Sequence, residues 1–277
     1  YEILDSIGKQ IRCSERPFGG IQLLFSGDFH QLPPIGEDSN QFCFESPLWE
    51  TAFPNVVVLQ QIFRQTDPVF TKILRQIRNG QISRKSLNLL NQRILTKENK
   101  LSYDKEMKPT IISPLRRIVN FVNDKNMSKI DSKVITFTAK IIKTKEYEKP
   151  LGMSETSERK QLEKQMNAEQ TLQLKKGSRV MCVANIDMNG TRQIVNGSQG
   201  IVEDFSGGIP VVRFKNGLKK VMDYHSWMSD EIKGFGIQQI PLILSWAITI
   251  HKSQGITLDT AIIDAGDNIF EYGQSYV

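Results

Sequence analysis

Three short stretches carry side chains able to handle phosphate. Gln31 follows Gly27 and Asp28 in SGDFHQLPP, and a side-chain amide can donate to a phosphate oxygen while accepting from a water, as a nucleotide sensor must. The same amide could instead satisfy nearby loop backbone. Arg64, beside Gln65, offers a forked, permanently charged donor of the kind that stabilises a transferring phosphoryl group, although an isolated loop arginine more often makes a surface salt bridge. Thr249, His251, Lys252 and Ser253 set hydroxyl, imidazole and ammonium donors side by side, a composition suited equally to holding phosphate oxygens and to solvent exposure.

Each group needs an element to place it. The apolar run 21–25, between Gly-Gly and Ser-Gly-Asp, predicts a strand buried on both faces. Loops leaving the carboxyl ends of parallel strands are where ligands bind, which puts Gly27, Asp28 and Gln31 at a potential site, with Pro33-Pro34 stiffening the exit. A second strand is expected over 55–63, just before Arg64. Asp67-Pro68 marks a helix start, and Val69, Phe70, Ile73, Leu74 and Ile77 share one face up to a basic last turn with Arg75 and Arg78. A helix over 83–95, a strand over 109–113 and a helix over 115–129 carrying Asn120 and Asn123 continue an α/β alternation.

The composition changes near residue 132. From there to 170 the chain is mixed in charge and weakly periodic, which predicts a solvated loop and an exposed helix. Beyond 178, short strand-like runs are punctuated by Asn196-Gly197, Gly207-Gly208 and Asn216-Gly217, the pattern of a small β-barrel or sandwich. A strand over 240–249, the polar loop 250–255 and a strand within 257–265 restore the α/β pattern. The β-rich module therefore reads as an insertion in a discontinuous α/β domain. Trp246, within the expected strand, reads as core rather than as a base-stacking platform.

The chain has 277 residues, 39% hydrophobic and 24% charged, enough for about two domains. No apolar run reaches the roughly 18–20 residues that cross a bilayer, so a soluble protein with no membrane partner is expected. A net charge of +6 suits an anionic partner or an ordinary basic surface. Cys13, Cys43 and Cys182 are too few and too scattered for a disulfide framework or a zinc site, which points to a reducing, intracellular compartment. The start at Tyr1 and the end at Val277 suggest a piece of a longer protein.

Taken together, GDFHQLPPIG (27–36), IFRQTDPVF (62–70), IVNGSQGIV (194–202), QIPLILSWAITIHKSQGITLD (239–259) and GQSYV (273–277) resemble, in order and spacing, the successive motifs of superfamily 1 DNA helicases of the petite-integration-frequency family, relatives of the RecD-like enzymes. The resemblance implies an α/β fold of partial RecA-like, parallel-sheet motor domains of the P-loop NTPase type, with an inserted SH3-like β-barrel. Residues 1–52 would close the first motor domain, 53–131 with 239–277 would form most of the second, and 132–238 would be the insert.

The implied activity is ATP-dependent, 5′-to-3′ translocation on single-stranded DNA by a monomeric motor, in repair, recombination or telomere maintenance, in a nucleus or mitochondrion. Gln31 would sense the γ-phosphate, and Arg64 would be the fourth motif's arginine. Gly27, Asp28, Gln254 and Gly255 would border the nucleotide, and Thr249, His251, Lys252 and Ser253 would contact DNA. Asp28 would brace the cleft or a magnesium-bound water, and His30 would be a bystander. The family often has an acidic residue where Ile141-Ile142 stand. No G-x-x-x-x-G-K-[ST] loop occurs, since Gly8-Lys9 leads into Gln10, and no magnesium-binding Asp-Glu motif is recognised. ATP and Mg2+ would therefore be cofactors of a longer parent, and this chain alone would not hydrolyse ATP. The alternative is a non-enzymatic, single-strand-binding remnant of a helicase.

Overall fold

A computed structural model describes residues 2–33, 42–96, 108–149, 154–188, 193–271 and 273–277. Contacts divide the chain into two compact units, Tyr1–Leu101 with Glu271–Val277, and Ser102–Phe270. This division does not follow the expected boundaries at 52/53 and 131/132: residues 53–101 group with the amino-terminal segment, and the last seven residues group there too.

In the first unit, α1 (Glu2–Arg12) turns Asp5 inward, where its carboxylate accepts from the Phe18 N–H at 2.7 Å and pairs with Lys9 at 2.7 Å. The Lys9 and Phe18 contacts hold the Asp5 carboxyl below its ordinary value. After α2 (Trp49–Ala52), α3 (Pro68–Arg78) starts as expected, with Asp67 Oδ1 accepting from the N–H groups of Val69 at 2.8 Å and Phe70 at 3.2 Å. Of its apolar face only Ile73 is buried, whereas Val69 and Phe70 face solvent. The following helix, α4 (Arg84–Asn91), is capped by Ser83 and is shorter than the 83–95 reading.

Neither strand expected in this unit, over 21–25 and 55–63, forms among the described residues. Residues 21–25 and 55–62 join no ladder among the described residues, and Leu24 and Val57 are 96% and 82% exposed. Apolar, β-branched runs favour an extended backbone, but a buried strand also needs hydrogen-bonding neighbours and covered faces, which the described residues do not provide.

The second unit opens as expected with β1 (Thr110–Ser113) and α5 (Arg116–Ser128). The stretch expected to be a solvated loop and an exposed helix does contain a helix, α6 (Glu155–Gln165), but it also contributes β2 (Ile135–Thr138) and β3 (Lys140–Lys143). Leu162, on α6, and Met166, at its end, lie one turn apart and are fully buried with Ile232, Phe235 and Ile237. Two apolar residues at i and i+4 are enough to dock a helix whose other faces are charged, and a mean over the stretch conceals them.

Next come β4 (Thr171–Leu174), β5 (Arg179–Cys182), β6 (Gln199–Ser206), β7 (Ile209–Phe214), β8 (Lys219–Val221), β9 (His225–Met228), β10 (Phe235–Gln239) and β11 (Leu242–Leu244). An antiparallel sheet of order β11-β5-β6-β7-β8 carries the main core of Val180, Val202, Val212, Phe214 and Leu242. Its hydrogen-bonded ladder is open, with β11 and β8 at the edges. Smaller sheets pair β3-β10-β9 and β2-β4.

The unit ends with β12 (Ala247–Thr249), α7 (Ile250–Ser253) and β13 (Ala261–Ile263). The strands β12-β1-β13 form a parallel sheet on which α5 packs. The single strand expected over 240–249 is thus two strands: β11 runs antiparallel to β5, and β12 runs parallel to β1. Trp246 lies in the bend between them rather than mid-strand, because one straight strand cannot hydrogen-bond into both sheets. No helix among the described residues is long and apolar enough to cross a membrane.

Candidate functional site

The first unit holds Gly27, Asp28 and Gln31 in an irregular turn closed by the Gln31 N–H donating to the Asp28 carbonyl at 3.1 Å. The Asp28 carboxylate accepts from Arg78 Nη2 and from the His30 N–H, each at 3.1 Å, and stands 3.3 Å from His30 Nδ1. Burial pushes the Asp28 carboxyl up, but the hydrogen bonds from Arg78 and His30 outweigh it and hold the group below its usual range. All three contacts fall on Oδ1, and they hold Asp28 in place as an anion.

The GQSYV segment lies against the same turn. Gly273 has φ +77°, and a Cβ there would come within 2.5 Å of the Gln31 carbonyl oxygen, so only glycine permits this approach. Burial, the Asp28 charge and a hydrogen bond to Asp28 keep the Tyr276 hydroxyl protonated beyond its ordinary range. Two motifs more than 240 positions apart therefore share one site, in which Gln31 is half-buried. Arg78 and Tyr276 complete it, and neither was a site candidate from sequence: Arg78 registered only as the basic end of a helix, and Tyr276 only as part of the GQSYV motif. Pro34, expected to stiffen the loop, lies outside the described residues. Arg64 sits in an exposed bend and makes no hydrogen bond or ion pair with another described residue.

In the second unit the polar loop expected over 250–255 is the short helix α7. Thr249 is buried at its N-cap, where Oγ1 accepts from the Lys252 N–H at 3.3 Å. Ser253 is also buried, and its hydroxyl donates to the Ile250 carbonyl at 2.7 Å. Two of the four expected phosphate contacts thus build the turn, while His251 and Lys252 remain exposed. Gln254 and Gly255 follow in an exposed exit from the helix.

The walls around Lys252 remove part of its hydration although the side chain keeps solvent access, which lowers its ammonium from the ordinary value; Glu169 opposes that lowering and Arg116 adds to it. Glu169 is raised in turn, chiefly by burial. Arg116 and Glu169 are functional candidates that no sequence motif marked.

The Asn-Gly-Ser turn supports this helix from behind. Gly197 has φ +96°, and a Cβ there would meet the Ile256 side chain at 3.0 Å, so the turn can back the residue after Gly255 only with glycine. Beside it an open cavity of about 440 Å³ is lined by Ser198, Gln199, Lys215, Thr257 and Asp259, with Lys215 and Asp259 paired at 2.6 Å. Among the described residues no three His, Cys, Asp or Glu side chains converge as metal ligands.

Residues 1–88 match the family model for PIF1-like helicase, and residues 159–205 match that for the DNA helicase Pif1 2B domain. The chain is 34% identical over its whole length to the zebrafish (Danio rerio) ATP-dependent DNA helicase PIF1, and spans 42% of that relative. It superimposes on the crystal structure of Pif1 helicase from Candida albicans with a TM-score of 0.71 and 29% identity, over 99% of this chain and 65% of that one. Against Bacteroides Pif1 in complex with ADP-AlF3 and single-stranded DNA, the TM-score is 0.59 and the identity 28%, over 99% and 63% of the two chains.

Proposed function

From a chain that belongs to the PIF1-like helicase family, we infer a part of an ATP-dependent DNA helicase that advances 5′-to-3′ along single-stranded DNA. Because the chain spans about two fifths of the curated relative's length, that activity is proposed for the longer protein. The observation that carries the reading is the capped turn of α7, which spends Thr249 and Ser253 on its own geometry and leaves His251 and Lys252 exposed, with Lys252 in the field of both Glu169 and Arg116. Such donors suit a sugar-phosphate backbone, and phosphate contacts carry little base information, as a motor crossing any sequence requires. The single-stranded DNA in the Bacteroides Pif1 complex supports the same partner.

In this reading Gln31, pre-set by the Asp28–Arg78 pair, reports the terminal phosphate of ATP, and Arg64 is the free cation that meets charge developing on it. Gly27, with open space where a Cβ would stand, leaves room beside the nucleotide. The sequence has no G-x-x-x-x-G-K-[ST] loop, so ATP hydrolysis is proposed for the longer protein and not for this chain alone. The longer protein is read as a monomeric, intracellular motor acting in DNA repair, recombination or telomere maintenance.

The test is fluorescence anisotropy of this chain with a labelled oligo-dT, without nucleotide and at several salt concentrations. Salt-sensitive binding is expected. Absence of binding at low salt defeats the reading.

A further inference from the structure

We propose that Arg179 is a positioning residue for the phosphate-facing turn, acting through the bend at Ser245 and Trp246; the inference rests on the DNA-binding reading of that turn. Arg179 opens β5 and is 4% exposed. Its guanidinium donates to the Lys108 carbonyl and, at 2.8 Å, to Thr110 Oγ1. The same hydroxyl accepts from Gln199 Nε2 at 2.7 Å and donates to the Ser245 carbonyl at 3.1 Å. The Ser245 N–H in turn donates to the Arg179 carbonyl at 3.0 Å.

The clamp continues along the chain. The Trp246 carbonyl accepts from the Ile111 N–H at 2.9 Å, and β12 then pairs with β1 as far as Thr249, the cap of α7. The bend is therefore fixed where the polypeptide leaves the antiparallel sheet for the parallel one, four residues before that cap. A rotation of the bend is transmitted to Lys252 through a three-residue strand.

Stability alone gives a poor account of this arginine. It pairs with no carboxylate among the described residues, and its Nε finds no acceptor. Burial pushes its pKa down to about 10. A buried charge without an acid is costly, and well-packed apolar replacements at buried ionic positions are often neutral or stabilising. What the guanidinium supplies is direction, in two donors that tie β5 to the residues at the start of β1.

The experiment compares the wild-type chain with Arg179→Met, Arg179→Lys, Thr110→Val and Lys252→Ala. The readouts are thermal melting, oligo-dT affinity at fixed salt, and emission of Trp246 in a Trp49→Phe/Trp227→Phe background. The expected result is that Arg179→Met melts no lower than wild type, shifts the Trp246 emission, and binds oligo-dT roughly two- to thirtyfold more weakly, the range that network substitutions transmit. Arg179→Lys, keeping one donor, falls between. If Arg179→Met does not fold, Thr110→Val decides by the same affinity and emission, since it removes the shared hydroxyl and leaves the charge. Unchanged affinity and emission in the deciding variant, with Lys252→Ala weakened, overturn the positioning role and spare the DNA-binding reading. A wild-type chain that binds no oligo-dT overturns both.

Discussion

The side-chain amide of Asn123 grips both backbone groups of Ala247, donating to its carbonyl and accepting from its N–H, each at 3.0 Å. Ala247 begins β12, an edge of the parallel sheet among the described residues, and an α5 side chain satisfies its backbone there. Two residues later Thr249 caps the turn that carries Lys252, which makes this grip part of the site's foundation.

Replacing Asn123 with leucine keeps the number and branching of the side chain's heavy atoms but leaves the buried N–H and C=O of Ala247 without partners. Each unsatisfied group costs about 1–3 kcal/mol, so the variant should lose about 2–6 kcal/mol in urea unfolding. A loss below about 1 kcal/mol means that water or a shifted backbone meets those groups.

Much of this region was legible because its signals are local. Asp67-Pro68 announces α3 through its own cap, and the alternation of β1, α5 and β13 follows from short apolar runs with turn residues between them. What could not be read depends on partners distant in sequence. Residues 21–25 carry a strand's composition, but composition does not supply a neighbour to bond with. The break at Ser245 and Trp246 is invisible in an apolar run because it is imposed by bonds from Arg179, Thr110 and Ile111. The site residues divide in the same way: His251, Lys252 and Tyr276 stand in motifs, whereas Arg78 gains meaning only where the fold brings it to Asp28.

Lys252 should contribute one phosphate contact. For single-stranded DNA each contact adds about 0.7 to the slope of log affinity against log salt, so Lys252→Ala should weaken oligo-dT binding and flatten that slope by about this amount. Weaker binding with an unchanged slope points to a structural fault in the turn, and unchanged binding removes Lys252 from the interface.

The Asp28–Arg78 pair predicts an acid dependence. Asp28 has its folded pKa lowered, so the unfolded chain takes up its proton first. The pair's contribution is complete above the unfolded value near 3.8 and disappears as pH falls through the lower folded value. Arg78 is 38% exposed, and solvent screening limits the pair to about 1 kcal/mol or less. Arg78→Met should therefore be less stable than wild type at pH 6 and nearly equal to it at pH 2. Tyr276, held neutral, works at the other end: its contribution is full below about 10 and fades as pH rises through its raised folded value. Tyr276→Phe should remove that alkaline loss.

Arg64 separates catalysis from stability most cleanly. It is exposed and has no partner among the described residues, so Arg64→Ala should alter unfolding free energy by no more than about 0.5 kcal/mol. An arginine that meets the charge of a transferring phosphoryl group is worth about 10³–10⁵ in turnover. In a longer protein that includes a phosphate-binding glycine loop, Arg64→Ala should cut DNA-stimulated ATP turnover by about a thousandfold or more while nucleotide-free oligo-dT affinity stays at the wild-type value. The second measurement is what makes the first informative, since a misfolded variant loses both. Turnover within a few-fold of wild type, with binding intact, places Arg64 away from the transferring phosphate and leaves Gln31 as this chain's contact to it.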